Sequence, residues 1–178
     1  MGRGTVVKWV VAPIALLLSL TACGSDEPPQ STVCTDPTME ALDPTSGLHV
    51  LRPDEVEFDD PTPTSGPHAP GVLAGVFTET MPGAVQVGHL EQGGVIISVD
   101  SGTDDVFAEA SGVVRSANGE GEGSSEPSVA DLVMVQPVDD LPATVVVTAW
   151  RSRISCSEYD SDYISWFIDD RSGRPDLN

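Results

Sequence analysis

Between Pro61 and Gly71 the chain carries four prolines and two glycines, in the run PTPTSGPHAPG. Each proline holds φ near about −65°, removes a backbone donor and pushes the residue before it towards extended conformations. The segment cannot be a helix, and Gly66 and Gly71 permit turns. It reads as a stiff, ordered loop that presents Thr64, Ser65 and His68, since rigid loops on a scaffold often carry polar side chains that must be held in place. A purely structural turn, with His68 packed or merely exposed, is the alternative. Two of the three histidines, His68 and His89, lie between Pro61 and Ile97, and His49 is just upstream. A functional site is therefore expected in this part of the chain.

The N-terminus has to be set aside before the fold is considered. Arg3 and Lys8 form a basic start, Trp9 to Leu20 an apolar core, and Leu20-Thr21-Ala22-Cys23 the end. This order describes a secretory signal over residues 1–22, too short for a stable membrane helix. Its last four residues resemble a bacterial lipoprotein lipobox, which implies acylation of Cys23, extracytoplasmic location and attachment to the cell membrane through lipid. An ordinary secretory signal with a chance cysteine is the other reading. Residues 23–44, beginning Cys-Gly-Ser-Asp-Glu-Pro-Pro, are polar and Pro-containing and read as a flexible tether. Residues 45–178 then form one domain.

Without residues 1–22 the chain has six basic residues against 28 acidic ones, a net charge of −22, and no lysine. Phosphate binding needs clustered Lys and Arg, so nucleic acid is excluded as a partner. Electrostatic adhesion to anionic lipid is disfavoured for the same reason. With Cys23 assigned to lipid, Cys34 and Cys156 remain, and an oxidising compartment favours a disulfide between them. Two free thiols or an intermolecular bond remain compatible with the sequence.

Along the chain, Leu48 to Phe58 begins like a short strand and ends in acid. Asp54, Glu55, Glu57, Asp59 and Asp60 lack the spacing of a calcium loop and read as a solvated face. Val72–Phe77 is a plausible strand and Met81-Pro82-Gly83 a turn. Ala84–Val87 is apolar, and Gly88 to Gly94 interrupts it. Val95–Val99 is β-branched and apolar enough for a central strand. Asp100 to Asn118 reads as a helix with Thr103 as N-cap and Asp104 and Asp105 at its positive end. Gly119 to Ser128 is an acidic loop. Val129–Val138 and Ala143–Trp150 are strands, and Arg151–Cys156 continues as an edge strand. Ser157 to Arg171 reads as the last helix, with Ser157 as N-cap. Its aromatic stripe Tyr159, Tyr163, Trp166 and Phe167 is assigned to core packing rather than to a ligand surface. The expected fold is α+β, a mixed sheet of four to five strands with two helices packed on one face.

Three blocks, in order, resemble the bacterial domain of unknown function 3105 family. Pro63-Thr64-Ser65-Gly66-Pro67-His68 is similar to that family's Pro-Pro-Thr-Ser-Gly-Pro-His block. Val87 to Ile96, which includes Leu90, Glu91, Gln92, Gly93 and Gly94, is similar to its Val-His-x-Leu-Glu-His-Gly-Gly-Val-Val block. Val147-Thr148-Ala149-Trp150, followed by Phe167-Ile168-Asp169 and Gly173-Arg174-Pro175, is similar to its C-terminal end. Ser46 to Val50 matches a Gly-x-x-His-Val element more loosely. The resemblance implies an extracytoplasmic domain and no established activity. The family's histidines suggest a copper or zinc site, with His49, His68, His89 and Glu91 as the candidate ligands here. Two positions depart from the pattern: aligned on Leu90-Glu91, the family's histidines fall on Gly88 and Gln92, and His89 is shifted by one residue. In extended chain that shift turns His89 to the opposite face.

Three functions are compatible with these residues. One is a non-catalytic binding or scaffold domain that presents an acidic surface to an envelope protein partner, and this is the reading the sequence favours. The second is a metal-binding lipoprotein with a partly degenerate histidine site. The third is a hydrolase using Ser65 near His68, although no Gly-x-Ser-x-Gly elbow is present.

Overall fold

The structure is a computed structural model that describes residue 2 and residues 28–117 and 132–174. The leader, Cys23, the whole loop of residues 119–128 and residues 129–131 of the strand expected after it lie outside the described residues. Among the described residues no helix is long and apolar enough to cross a membrane.

The sheet is built on two strands whose residues are almost wholly apolar. Val95–Asp100 (β3) pairs in parallel with Val133–Val138 (β4), and on its other side antiparallel with Val145–Ala149 (β5). Five consecutive residues of β3 and all five of β5 are buried, as expected of strands covered on both faces. Each fully buried Val or Ile contributes ~1.5–3 kcal/mol, so this central trio organises the domain. Ser152–Cys156 (β6) pairs with β5, Thr38–Met39 (β1) pairs with β6, and Gly75–Val76 (β2) runs parallel to β4. The order across the mixed six-stranded sheet is β1-β6-β5-β3-β4-β2.

Alternation along the strands divides two cores. On one face Ile97, Val99, Val133, Val135 and Val147 pack against Ala110 and Val114 of Asp104–Ala117 (α2) and against Tyr163, Ile164, Phe167 and Ile168 of Ser161–Arg171 (α3). The aromatic stripe is thus core, with Tyr159 packed against it just before the helix. On the other face Ile96 and Met134 meet Leu90 of Gly83–Glu91 (α1), with Leu73, Phe77 and Trp150 around them.

The α+β class and the mixed sheet agree with the sequence, and α2 and α3 do share a face. Several details differ. Helix α1 occupies residues read as a turn and a glycine-interrupted apolar run. Gly83 and Gly88 are poor helix formers, but both sit where neighbours approach closely: Gly83 against the Phe58 ring and Gly88 against the Ala69 carbonyl. Thr103 stands at the N-cap position of α2, its carbonyl accepting from Phe107 N–H at 3.0 Å, while its hydroxyl donates to Asp100 O at 2.7 Å. Helix α3 starts later than expected, because Asp160, not Ser157, is the N-cap and accepts from Tyr163 N–H at 3.1 Å. Strand β6 is not an edge, since part of the stretch read as tether pairs with it as β1. Arg151 stands outside β6, at the β5–β6 turn with φ 54°. At its other end α3 stops at Arg171 as expected, with Ser172 as C-cap, and Gly173, at φ 73°, donates to Gly93 O at 2.8 Å.

Cys34 and Cys156 form a disulfide with their Cα atoms 4.0 Å apart. It joins the start of the described N-terminal segment to the end of β6, across 122 residues of sequence.

Candidate metal centre

The Pro-rich loop is ordered but not presented. Thr62, Thr64, Ser65 and His68 are all buried. Segment 38–43 lies over the loop and uses its hydroxyls. Thr64 Oγ1 donates to Glu40 Oε2 at 2.6 Å, and Ser65 Oγ accepts from Asp43 N–H at 3.0 Å. Arg153 of β6 ties the layers together: its Nε lies 2.6 Å from Glu40 Oε1, and its Nη2 donates to Asp60 Oδ2 at 2.7 Å and to Thr62 O at 2.9 Å. Partial burial pushes the Asp60 carboxyl up, but hydrogen bonds from Thr62 and the Arg153 charge outweigh it and hold the group below the usual carboxylate range. Asp60 is therefore structural, while Asp54, Glu55, Glu57 and Asp59 are exposed, as the sequence implied.

This frame brings His49 onto His68. Val50 N–H donates to His68 O at 2.8 Å, and His68 N–H donates to Leu48 O at 2.9 Å, so the two histidines form a parallel bridge. Their rings meet edge to face with centroids 4.8 Å apart. Helix α1 supplies the third member. His68 Nε2 lies 2.8 Å from Glu91 Oε2, with the His68 side chain wholly buried and that of Glu91 34% exposed. One ligand atom from each of His49, His68 and Glu91 lies within 4.8 Å of the others.

The chemistry of this cluster favours a positive charge beside Glu91. His68 Nδ1 stands 3.2 Å from Gly66 O. A carbonyl oxygen can only accept, so Nδ1 carries a proton, and Nε2 is then a lone pair in the neutral ring or a second N–H in the imidazolium. Nε2 is buried and faces the Glu91 carboxylate at ion-pair distance. The pair is within ion-pair distance but does not have hydrogen-bond angles. Glu91 is also the last residue of α1, at the negative end of the helix, where an anion is disfavoured. A positive charge there, either a proton on Nε2 or a metal ion, relieves both conflicts.

His89 is not part of the cluster. Its ring is fully buried: Nδ1 accepts from Leu73 N–H at 3.2 Å and Nε2 lies 3.4 Å from Val95 O. Burial pushes its pKa down to about 4, against the smaller opposing effect of the Val95 and Leu132 carbonyls. It is a neutral core residue, and Gly94 packs so closely on its ring that no Cβ fits there. Extended-chain alternation does not apply to His89, because residues 83–91 are helical. Positions 88 and 92, where the resemblance puts histidines, are the closely packed Gly88 and the exposed Gln92. The positioning role of Gly66 O had no signal in the sequence beyond the Gly-Pro-His spacing.

A mixed sheet covered by helices on both faces, with two histidines and a carboxylate gathered beside a proline-rich loop, defines an α+β domain with a candidate cation site. Residues 49–177 match the family described as Protein of unknown function (DUF3105), and the chain belongs to that family. No curated protein and no solved structure is significantly similar to it.

Proposed function

We propose that this protein is an extracytoplasmic lipoprotein, held to the cell membrane by lipid on Cys23, that binds a divalent transition metal through His49, His68 and Glu91. The observation that carries the reading is the gathering of one ligand atom each from His49, His68 and Glu91 within 4.8 Å, with the buried Nε2 of His68 2.8 Å from Glu91. Imidazole and carboxylate donors suit Zn²⁺ and Cu²⁺. Cys34 and Cys156 are tied in a disulfide, so the site offers no thiolate that would favour Cu⁺. With metal–ligand bonds of ~2.0–2.1 Å, tetrahedral donors stand about 3.3 Å apart, and the exposed His49 has room to close in. The role of Gly66 O is to fix the His68 tautomer and leave Nε2 free for the metal.

A titration of the full chain in detergent micelles, oxidised, with Zn²⁺ and Cu²⁺ tests this. Stoichiometric binding at micromolar affinity or tighter, lost in His49→Ala/His68→Ala, is the expected result. Weak binding unchanged in the double variant would leave only nonspecific chelation by carboxylates. Lipid attachment is tested separately by labelling with palmitate, which should disappear in Cys23→Ala.

The acidic surface supports a second reading, a scaffold domain that engages an envelope protein by charge. Asp54, Glu55, Glu57 and Asp59 are all exposed and follow His49 closely in the chain. The hydrolase reading gains no support, since Ser65 Oγ accepts from Asp43 N–H and both ring nitrogens of His68 face other groups.

A further inference from the structure

We propose that the metal site is completed from outside by a histidine of a basic partner peptide, seated on an apolar rim made by Leu48 and Leu51. The inference rests on the metal reading above and adds the partner. Three observations lead to it.

The chain supplies three donors, and zinc or Cu²⁺ with three protein ligands keeps a further position for an external one. His49 is the exposed member of the set, so an external ligand would reach the site from its side.

The residues flanking His49 are unusual for a water-facing segment. Leu51 is 98% exposed and Leu48 57% exposed. Val50 and Leu51 continue into a groove of about 460 Å³ lined also by Arg52, Glu55 and Val56. Single exposed leucines are common, but these two flank the candidate ligand His49 in the chain and leave apolar surface uncovered next to it.

The surrounding charge then selects the occupant. From Asp43 to Asp60 there are six acidic residues and one arginine, and that Arg52 is itself held by Glu55 at 2.6 Å. Such a field repels an anionic ligand and a second copy of this acidic chain, and attracts a cationic segment. A neutral imidazole on a basic peptide adds a metal bond without adding negative charge, and an apolar side chain beside it has Leu48 and Leu51 to cover.

The test uses the full chain in micelles, empty or loaded with one equivalent of Cu²⁺. The probe is a ten-residue peptide of lysine, arginine and leucine carrying one histidine. We expect at least tenfold tighter binding to the loaded protein and a change in the Cu²⁺ electron paramagnetic resonance signal that reports an added nitrogen. The same peptide with alanine for histidine should lose the dependence on metal. Leu51→Ser should weaken the peptide at least threefold while leaving Cu²⁺ affinity unchanged. Equal peptide binding to empty and loaded protein overturns the proposal, as does free imidazole binding as tightly as the peptide, or metal-dependent pairing of two copies in sedimentation. If Cu²⁺ itself does not bind stoichiometrically, the metal reading falls and this proposal with it. If Cu²⁺ binds and the peptide does not respond, only this proposal falls.

Discussion

Gly88 lies directly against the carbonyl oxygen of Ala69, with no room for a Cβ between them. The contact sets α1 on the loop that carries His68, and Ala69 N–H donates to Ala84 O at 3.0 Å beside it. Gly88→Ala should therefore destabilise the fold despite the better helix propensity of alanine. Overpacking against a backbone that cannot swing aside costs ~1–3 kcal/mol or more, while propensity returns at most about 1 kcal/mol. A net loss of roughly 2 kcal/mol in urea unfolding is expected, together with weaker metal binding as α1 and the loop separate. Unchanged stability would show that the helix sits farther from the loop.

Glu91→Gln gives opposite effects on metal binding and on the empty protein. Loss of the charged donor should weaken Zn²⁺ or Cu²⁺ at least tenfold, as outer partners of metal sites alone give 10–100-fold effects. In the empty protein the Gln amide can donate to the His68 Nε2 lone pair, which should stabilise the fold by about 1 kcal/mol. Calorimetric titration and denaturant unfolding of one variant check both signs. A parallel loss of affinity and stability would make Glu91 merely structural.

Reduction of Cys34–Cys156, or Cys34→Ser/Cys156→Ser, should lower stability by about 4–5 kcal/mol in the chain-entropy account, given the 122-residue separation. The N-terminal segment also holds Glu40 over Thr64 and Arg153. Protease cutting between Thr32 and Asp43 should therefore accelerate on reduction before the rest of the domain is lost.

Tyr159 offers the pH test. Burial, with the nearby Glu109 charge, pushes its phenol up to about 12 from an ordinary 10. The folded protein keeps the proton between these values and the unfolded chain does not. The stabilisation is fully present below pH 10 and is lost as pH rises towards 12. Tyr159 is only half-buried, so solvent screening reduces the effect to roughly 1–2 kcal/mol. Its hydroxyl has no hydrogen-bond partner among the described residues. Tyr159→Phe should accordingly be neutral or slightly stabilising at pH 7, and should flatten the alkaline decline. A loss of stability at pH 7 would mean that the hydroxyl is bonded after all.

Sequence alone determined what depends on composition and local pattern. The β-branched runs at Val95 and Val145 made central strands legible, because burial on both faces demands continuous apolar residues. The proline density of 61–71 marked an ordered loop, since proline restricts the chain wherever it stands. The pairing of Cys34 with Cys156 was the simplest use of the two cysteines left after Cys23 was assigned to lipid. Tertiary structure decided the rest. Helix α1 was hidden because Gly83 and Gly88 answer to Phe58 and Ala69, contacts that no local window contains. The same helix turned His89 into the core and Glu91 towards His68, reversing what alternation along an extended chain would place together. The candidate ligand set therefore rests on where three distant segments pack, and packing between segments is a property of the whole fold rather than of any stretch of sequence.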